Sequence, residues 1–338
     1  MDKRELSKIA MDLVAPGKGI LAADESTGTI KKRFASIGIE SNPELNRVYR
    51  QLLFTTFGIE EFISGVIMYD ETIRQSADDG EYFSKLLKNK GIIPGIKVDK
   101  GTVDLENFPG EKVTEGLDGL RGRLSEYKDL GAQFTKWRAV ITIGEQIPTD
   151  VCIGINVSLL ARFAALSQES GLVPIVEPEV LMDGGHTSEV CEKVTYKVLK
   201  DLFNKLDEHK VDFTGMLLKI NMVIAGKENS GNEPPAEIAE ATIRCFKEVL
   251  PDELPGVVFL SGGQNPIQAS ENLNEINIIN NVSWELSFSY GRALQEPVLK
   301  AWQGKSENIK LAQEAFYKRA KMNSLARKGE YSRKIENE

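Results

Sequence analysis

The most informative run of this 338-residue chain reads Phe213-Thr214-Gly215-Met216-Leu217-Leu218-Lys219-Ile220-Asn221-Met222-Val223. A short, continuous apolar run predicts a strand that is buried on both faces, and such strands are typical of parallel sheets. Lys219 interrupts the run, and a buried lysine is costly unless it is paired, neutralised or used chemically. A neutral lysine amine is a nucleophile. The alternative is a lysine that extends from the strand end to water.

Similar apolar runs recur along the chain. The eight runs are Gly19–Ala23, Ile63–Tyr69, Ile92–Val98, Ala132–Trp137, Leu172–Val176, Phe213–Leu218, Gly256–Leu260 and Trp284–Ser289. Helical patterns separate most of them, as in Ser158–Ser170, Pro235–Leu250 and Leu311–Ala326. Alternating strands and helices predict βαβ units and a parallel sheet. Eight strands favour a closed barrel, whereas an open doubly wound sheet lacks the support of a GxGxxG motif after the first strand.

The sequence therefore predicts an α/β protein with a single (β/α)8 TIM barrel domain over residues 1–338. Residues 1–18 are expected to add an N-terminal helix. The highly charged tail, residues 327–338, is expected to fray from the domain.

Composition limits the kinds of partner. Lysine and arginine number 42 against 50 aspartates and glutamates, and this net charge of −8 argues against general nucleic-acid binding. The cysteines Cys152, Cys191 and Cys245 form no CxxC pair. They predict buried thiols in a reducing compartment, which is the cytoplasm.

Targeting and metal signals are weak. The start, Met1 to Glu5, has no apolar segment typical of a signal peptide, and no apolar run approaches the ~20 residues that span a bilayer. We therefore expect no membrane association. His186 and His209 are the two histidines, and zinc sites commonly draw on several histidines or cysteines, so no metal site is predicted.

A polar residue lies at, or next to, the end of each of the eight runs. These residues are Asp24, Asp70 with Glu71, Lys97, Lys136, Glu177, Lys219, Ser261 and Ser289. Barrel active sites are built at the carboxyl ends of the strands, so this series predicts a catalytic mouth. Solvent exposure of strand ends is the alternative explanation for the series.

Two lysines and a glutamate at one mouth indicate Schiff-base chemistry. A neighbouring cation, supplied by Lys136, favours the neutral amine of Lys219. Glu177 would move protons to and from the carbinolamine. Glu179 lies two residues further and shares its face in an extended chain. A structural ion pair with one of the lysines is the alternative role for these carboxylates.

The last two strand ends predict an anion site. The turn Ser261-Gly262-Gly263 offers unobstructed backbone N–H groups. The turn Ser289-Tyr290-Gly291-Arg292 adds a guanidinium suited to phosphate. Barrels often bind phosphate after strands 7 and 8. Lys97, Arg138 and Arg33 are candidates for a second cationic pocket, and a solvated helix face is the alternative for Arg33.

These residues stand in motifs that resemble class I fructose-bisphosphate aldolases. The motifs are Leu21–Gly28 (LAADESTG), Gly95–Gly101 (GIKVDKG), Lys136–Arg138 (KWR), Val173–Glu179 (VPIVEPE), Leu217–Lys219 (LLK), Phe259–Gln264 (FLSGGQ) and Phe288–Leu294 (FSYGRAL). The resemblance extends from about residue 4 to residue 331 in the family's order. It implies a (β/α)8 barrel that reversibly cleaves fructose 1,6-bisphosphate to dihydroxyacetone phosphate and glyceraldehyde 3-phosphate, as a homotetramer.

The resemblance also implies residue roles. Lys219 matches the Schiff-base lysine, and Glu177 matches the general acid/base of imine formation, with Glu179 beside it. Lys136 matches the lysine that assists carbinolamine chemistry. Asp24 matches the carboxylate that deprotonates the C4 hydroxyl. An iminium on Lys219 accepts the electrons of the broken C3–C4 bond, so no metal or other cofactor is implied.

The remaining motif positions match the two phosphate sites. The phosphate-1 site is implied at Ser261, Gly262, Ser289, Gly291 and Arg292, with Gly263 in the same turn. The other phosphate end is implied at Arg33, Lys97 and Arg138, with Ser26 and Thr29 in the loop after the first strand.

Three departures from the family pattern stand out. Ile220 follows the lysine where proline is familiar, which restores a backbone N–H, and Thr29 replaces the commoner serine. Animal members carry a longer tail that ends in a tyrosine and helps to protonate the enamine. The last tyrosine of this sequence is Tyr331. We therefore expect slower enamine protonation, measured as slower solvent hydrogen exchange at C3 of dihydroxyacetone phosphate.

Other functions stay open at this stage. One is a Schiff-base aldolase for another ketose phosphate, such as sedoheptulose 1,7-bisphosphate or fructose 1-phosphate. A second is a Mg²⁺ enzyme that uses Asp24, Glu177 and Glu179 as ligands. A third is a non-catalytic scaffold, which the intact set of site residues argues against.

Overall fold

The computed structural model describes residues 3–229 and 233–337. Its strands are β1 (Gly19–Ala23), β2 (Ile63–Met68), β3 (Ile93–Lys97), β4 (Thr102–Asp104), β5 (Lys112–Thr114), β6 (Phe134–Ile141), β7 (Val173–Val180), β8 (Leu217–Ile220), β9 (Gly256–Phe259) and β10 (Glu285–Tyr290). Its helices are α1 (Lys3–Leu13), α2 (Thr27–Ala35), α3 (Pro43–Phe54), α4 (Asp70–Ile73), α5 (Phe83–Asn89), α6 (Leu120–Asp129), α7 (Asp150–Glu169), α8 (Ser188–Glu208), α9 (Pro235–Lys247), α10 (Pro266–Ile278), α11 (Arg292–Trp302), α12 (Ile309–Arg327) and α13 (Arg333–Glu336).

Eight parallel strands close into a barrel in the order β1-β10-β9-β8-β7-β6-β3-β2. Strand β1 closes it by pairing with both β2 and β10. Each of the eight predicted runs overlaps one barrel strand, so the (β/α)8 prediction is confirmed and the open sheet is excluded. The other two strands, β4 and β5, form an antiparallel hairpin that the sequence analysis did not predict.

Several predicted boundaries were wrong. Phe213–Gly215 is a 3-10 turn rather than the start of a strand, because the Asp212 side chain accepts from the Thr214 N–H and caps the turn. Strands β6 and β7 run further than predicted, so Lys136 and Glu177 lie inside strands rather than at their ends. Helix α7 begins eight residues earlier than predicted, capped by Thr149, whose hydroxyl accepts from the Cys152 N–H.

Alternation along the strands fills the barrel with apolar side chains. The interior cluster includes Phe134, Ile175, Leu217 and Val258. Helix α1 closes one end, and Leu6, Ala10, Leu13 and Val14 belong to the same cluster. The predicted N-terminal helix is thus confirmed within residues 3–13, whereas Met1 and Asp2 lie outside the described residues.

Helix α7 corrects the expectation that no apolar segment is long enough to span a bilayer. In the described part of the chain it is the one helix with that length and composition. Half of it is buried inside the structure, where it packs on β6 and β7 as a barrel helix. The part of the cysteine prediction that concerns burial is confirmed, since Cys152, Cys191 and Cys245 are all free and buried.

The C-terminal segment contacts the rest of the structure through buried and charged side chains. Tyr331 is buried, and its hydroxyl donates a 2.9 Å hydrogen bond to Glu336 in α13. Glu336 also accepts two hydrogen bonds, of 2.6 and 2.7 Å, from buried Arg319. Arg333 pairs with Glu271. Glu338 of the predicted tail lies outside the described residues.

Candidate active site

A cavity of about 360 Å³ opens at the carboxyl ends of the barrel strands. The predicted site residues that line it are Asp24, Ser26, Thr29, Arg33, Lys97, Lys136, Arg138, Glu177, Glu179, Lys219, Ser261, Gly262, Ser289, Gly291 and Arg292. Gly263 is the exception: it sits in a turn at φ +79°, where an added Cβ would lie 2.9 Å from Met182 Cβ. Asp70 also lies outside the cavity. It is the first residue of α4, and its carboxylate accepts hydrogen bonds from Tyr127 and Arg74.

The two-residue repeat of a strand explains why these charges meet. On three neighbouring strands, a side chain of the apolar interior is followed two residues later by a charged one that lines the cavity. The pairs are Phe134 and Lys136 on β6, Ile175 and Glu177 on β7, and Leu217 and Lys219 on β8. The barrel is therefore apolar in its lower layer and charged in its upper layer.

Four side chains form a continuous chain of alternating charge. Lys219 Nζ lies 3.2 Å from Glu177 Oε1, and Lys136 Nζ lies 3.0 Å from Glu177 Oε2. Lys136 Nζ also lies 2.6 Å from Asp24 Oδ2. Each of these side chains is at most 13% exposed. Glu177 thus lies between the two lysines. The cation that was predicted to act on Lys219, Lys136, is therefore separated from it by a carboxylate.

Burial and charge together set the protonation states here. Burial acts to raise the pKa of Asp24, but the charges of Lys136 and Lys219 outweigh it and hold that pKa well below its usual value. The pKa of Glu177 is lowered in the same way: Lys136 and Lys219 outweigh burial. Burial acts to lower the pKa of Lys136, but Asp24 and Glu177 raise it. The arrangement therefore favours two carboxylates around a firmly protonated Lys136.

Glu179 differs from Glu177 although both lie on β7. Burial raises the pKa of Glu179, and the repulsion from Glu177 adds to this against the opposing charge of Arg138. Arg138 Nη1 lies 3.0 Å from Glu179 Oε2. Two carboxylates with pKa values pushed in opposite directions are typical of a site that both accepts and donates protons.

Lys97 is held at the end of β3 by Asp99. The Lys97 Nζ–Asp99 Oδ1 distance is 2.7 Å, and the Asp99 side chain is 2% exposed. Asp99 also accepts hydrogen bonds from the backbone N–H groups of Gly101 and Arg138. The ammonium of Lys97 lies 5.8 Å from the centre of the Tyr69 ring. One buried carboxylate therefore places the head of a cavity lysine and the backbone beside a cavity arginine.

The two predicted anion turns lie on one side of the cavity. Ser289 is buried, and within the described residues its Oγ has no hydrogen-bond partner. Gly291 caps the N-terminus of α11, whose first residue is Arg292, and such a terminus attracts anions. A Cβ at Gly262 would lie 2.9 Å from Leu260, so glycine keeps the wall open there.

Arg33 stands apart from the other two members of its predicted pocket. Its guanidinium pairs with Glu25 at 3.2 Å and lies 3.7 Å from the position a Gly291 Cβ would take. Lys97 and Arg138 pair instead with Asp99 and Glu179. The structure thus places Arg33 beside the anion turn after β10.

Sequence reasoning missed Glu25 and Asp99, which hold the cavity cations. Each lies within a quoted motif, one residue after Asp24 and two residues after Lys97. A carboxylate so close to a predicted catalytic or cationic side chain was the available signal. Tyr69 and the segment Lys100–Thr102 also line the cavity, and no polar pattern marked them.

A (β/α)8 barrel that carries a lysine–carboxylate chain and anion-binding turns at one mouth has the features of a Schiff-base enzyme for phosphorylated carbonyl compounds. The model of a protein family described as "Fructose-bisphosphate aldolase class-I" matches residues 5–338 of this chain. The chain belongs to the class I fructose-bisphosphate aldolase family.

Individual proteins agree with this assignment. A probable class 1 fructose-bisphosphate aldolase of Xanthomonas campestris is 53% identical over 98% of this chain and 99% of its own length. The cytosolic fructose-bisphosphate aldolase 4 of Arabidopsis thaliana is 50% identical over 97% of this chain and 84% of its own. The structure of the Plasmodium falciparum aldolase, with TRAP and a small-molecule inhibitor, superimposes with a TM-score of 0.96 at 50% identity, covering 97% of this chain and 95% of that one.

Proposed function

We propose that this aldehyde-lyase reversibly cleaves fructose 1,6-bisphosphate to dihydroxyacetone phosphate and glyceraldehyde 3-phosphate through a Schiff base on Lys219. Family membership over nearly the whole chain supports the reaction. The Glu177 carboxylate between the two lysine ammonium groups, at 3.2 and 3.0 Å, is the observation that supports the residue roles.

The first half of the reaction forms the imine. Glu177 takes a proton from the Lys219 ammonium, and the neutral amine attacks C2 of the open-chain ketose. The carbonyl oxygen takes that proton from Glu177, which gives a carbinolamine with a protonated nitrogen. Glu177 accepts a proton from the nitrogen and returns one to the departing hydroxyl, so water leaves and an iminium remains. The protonated Lys136 holds Glu177 and Asp24 in place and stabilises negative charge that develops on oxygen.

The second half breaks the carbon–carbon bond. Asp24 takes the proton of the C4 hydroxyl, the C3–C4 electron pair moves into the iminium to form an enamine, and glyceraldehyde 3-phosphate leaves. A proton then adds to C3, and water hydrolyses the new iminium to release dihydroxyacetone phosphate and free Lys219. Glu179, with its raised pKa, is proposed to support these proton transfers beside Glu177.

The phosphates are proposed to bind at the two ends of the cavity. Phosphate 1 is assigned to the turns after β9 and β10, which comprise Ser261, Gly262, Gly263, Ser289, Gly291 and Arg292. The other phosphate is assigned to Lys97 and Arg138 with Ser26 and Thr29. Arg33, which lies beside Gly291, is assigned to the phosphate-1 end instead of the end that the resemblance implied. Lining of one cavity by all of these residues except Gly263 supports a single substrate site.

Reduction with borohydride in the presence of dihydroxyacetone phosphate tests the proposal. Peptide mass spectrometry is expected to find one adduct, on Lys219. The Lys219→Ala variant is expected to lose cleavage and the adduct while it keeps most of its affinity for dihydroxyacetone phosphate. An adduct on another lysine, or none, would refute the mechanism. Full activity in EDTA is expected, and its loss would favour the Mg²⁺ mechanism.

Assembly and setting are also proposed. A homotetramer is supported by family resemblance, and light scattering of the purified protein tests it. A place in the cytoplasm, in glycolysis and gluconeogenesis, is supported by the cytosolic Arabidopsis relative and by three free cysteines. The chain is proposed to form one domain, for which a single unfolding transition is the test.

A further inference from the structure

Glu25 is a buried carboxylate next to the cavity that the proposed reaction does not use. Its side chain is 4% exposed, and each of its oxygens contacts a different arginine. Oε1 lies 3.2 Å from Arg33 Nη2, at the cavity wall, whereas Oε2 lies 2.8 Å from Arg50 Nη2 behind the wall. The carboxylate therefore joins a partly exposed arginine to a buried one.

Gln295, on α11, contacts both Glu25 and Arg50. Its amide nitrogen donates to Glu25 Oε1 at 3.0 Å and to the Ala22 carbonyl at 2.7 Å. Arg50 Nη1 donates to Gln295 Oε1 at 3.4 Å. Gln295 is fully buried and Arg50 is 2% exposed, so both are shielded from competition with water.

Helices α3, which carries Arg50, and α11, which carries Gln295, also pack against α2, the helix that carries Arg33. Phe34, the next residue, packs edge-on against Tyr49 of α3, with ring centres 5.6 Å apart. It also packs against Trp302 of α11, again at 5.6 Å. Packing thus fixes the backbone of α2, while Arg50 and Gln295 fix the carboxylate that receives the Arg33 guanidinium.

The group lies at the seam where the barrel closes. Strand β1 pairs with β10 at this point, with Leu21 opposite Tyr290. The Ala22 carbonyl, which Gln295 holds, lies 3.4 Å from the position of a Gly291 Cβ. A shift of this group would therefore move Arg33 relative to the anion turn at Gly291.

We propose that Arg50 and Gln295 are positioning residues that act through Glu25 to hold Arg33 against the anion turn after β10. They touch no substrate, and their effect is on the affinity for the phosphorylated sugar rather than on the bond-breaking step. The inference rests on the proposed function, because it assigns Arg33 to phosphate binding.

A double-mutant cycle tests the coupling between Gln295 and Arg33. The Gln295→Leu variant keeps the buried volume but removes the three side-chain hydrogen bonds of Gln295. It is expected to raise the KM for fructose 1,6-bisphosphate about tenfold while kcat changes less than about twofold. In an Arg33→Ala background, the same substitution is expected to change KM by less than about twofold, because its target is already gone.

A matched control is available at Gln168. This buried glutamine, outside the cavity, also makes three side-chain hydrogen bonds: it donates to the carbonyls of Asp212 and Gly215 and accepts from the Asp212 N–H. The Gln168→Leu variant is expected to lower the melting temperature about as much as Gln295→Leu does but to leave KM unchanged. A conservative Arg50→Lys variant, which keeps the buried charge, is expected to give an intermediate KM.

The proposal would be overturned if the Gln295→Leu and Arg33→Ala substitutions raised KM by independent factors that multiply in the double variant. It would also be overturned if Gln168→Leu raised KM as much as Gln295→Leu does. If Gln295→Leu does not fold, the cycle of Arg50→Lys with Arg33→Ala is judged by the same criteria. Borohydride trapping separates this inference from the proposed function. A missing Lys219 adduct in the unaltered enzyme refutes the function, whereas failed coupling leaves that adduct intact.

Discussion

At Glu177, one carboxylate contacts two lysines, and each of its oxygens faces a different ammonium group. The three groups lie in low-dielectric surroundings, where removal of one partner leaves another charge uncompensated. Lys136 keeps Asp24 as a second partner, whereas no second ion pair is seen for Lys219 among the described residues. The Glu177 carboxylate is therefore the group whose loss should most directly affect Lys219.

The Glu177→Gln variant is expected to slow imine formation, because the amide cannot accept a proton. We expect kcat to fall roughly 10²- to 10⁴-fold. The rate of borohydride trapping with dihydroxyacetone phosphate should fall in parallel, while its dissociation constant changes little. Normal trapping with reduced kcat would instead place Glu177 after imine formation.

The Asp24→Asn variant should show a pH-dependent loss of stability. The folded pKa of Asp24 lies below the unfolded value near 3.8, so the carboxylate stabilises the fold above that pH. Removing it is expected to cost on the order of 2 kcal/mol at neutral pH. The difference from the unaltered enzyme should shrink as the pH falls from about 5 toward 3. Urea titrations across this range measure it, and a constant difference would contradict the assignment.

At the scale of elements, the barrel interior supports the charged layer above it. Gly95 on β3 is paired in register with Phe134 on β6, and a methyl group at Gly95 would overlap the Phe134 ring. Phe134 lies two residues before Lys136 on the same strand. Because the core is closely packed and one residue separates Phe134 from Lys136 on β6, a displaced Phe134 ring would shift the charged layer above it.

The Gly95→Ala variant is expected to lose about 1 to 3 kcal/mol of unfolding free energy through overpacking. Its kcat should also fall, because a displaced Phe134 ring shifts Lys136. Gly154→Ala is the control. Gly154 lies in α7, and among the described residues no atom lies within 4 Å of an added Cβ. This substitution should therefore be neutral or stabilise by up to about 1 kcal/mol. A stable, fully active Gly95→Ala variant would refute the link.

At the scale of the whole molecule, both ends of the described chain are tied to the barrel. Helix α1 fills the base of the interior cluster. At the other end, the C-terminal segment is held through Arg319, Tyr331 and Glu336. Tyr331 does not line the cavity, and burial raises its pKa. A largely buried ion pair between Arg319 and Glu336 therefore connects the charged C-terminal segment to the rest of the structure.

The Glu336→Gln variant should loosen this segment, since it leaves Arg319 without its carboxylate. Breaking a buried pair costs about 3 to 5 kcal/mol, so local opening should become frequent. Trypsin is expected to cleave after Arg333 and Lys334 several times faster, with the rest of the fold intact. Glu296→Gln removes an exposed pair with Lys300 and should leave cleavage unchanged. Equal cleavage rates in both variants would show that the tail is held by other contacts.

The barrel and most of the charged residues that line the cavity could be predicted from the sequence. A strand in a parallel barrel is buried on both faces, so its apolar run is visible locally, and a charged residue within the run is conspicuous. Lys219, Lys136 and Glu177 all carried that signal. The motif order then named the family, because each long motif ties a residue type to a strand end.

The tertiary structure alone decided how these residues pair. Glu177 lies between two lysines, Glu25 joins Arg33 to Arg50, and Asp99 holds Lys97. These contacts depend on barrel register and closure, which bring together residues that are far apart in the sequence, such as Glu25 and Gln295, 270 positions apart. Local patterns report burial and periodicity, whereas the choice of counter-ion is made only when the strands come together.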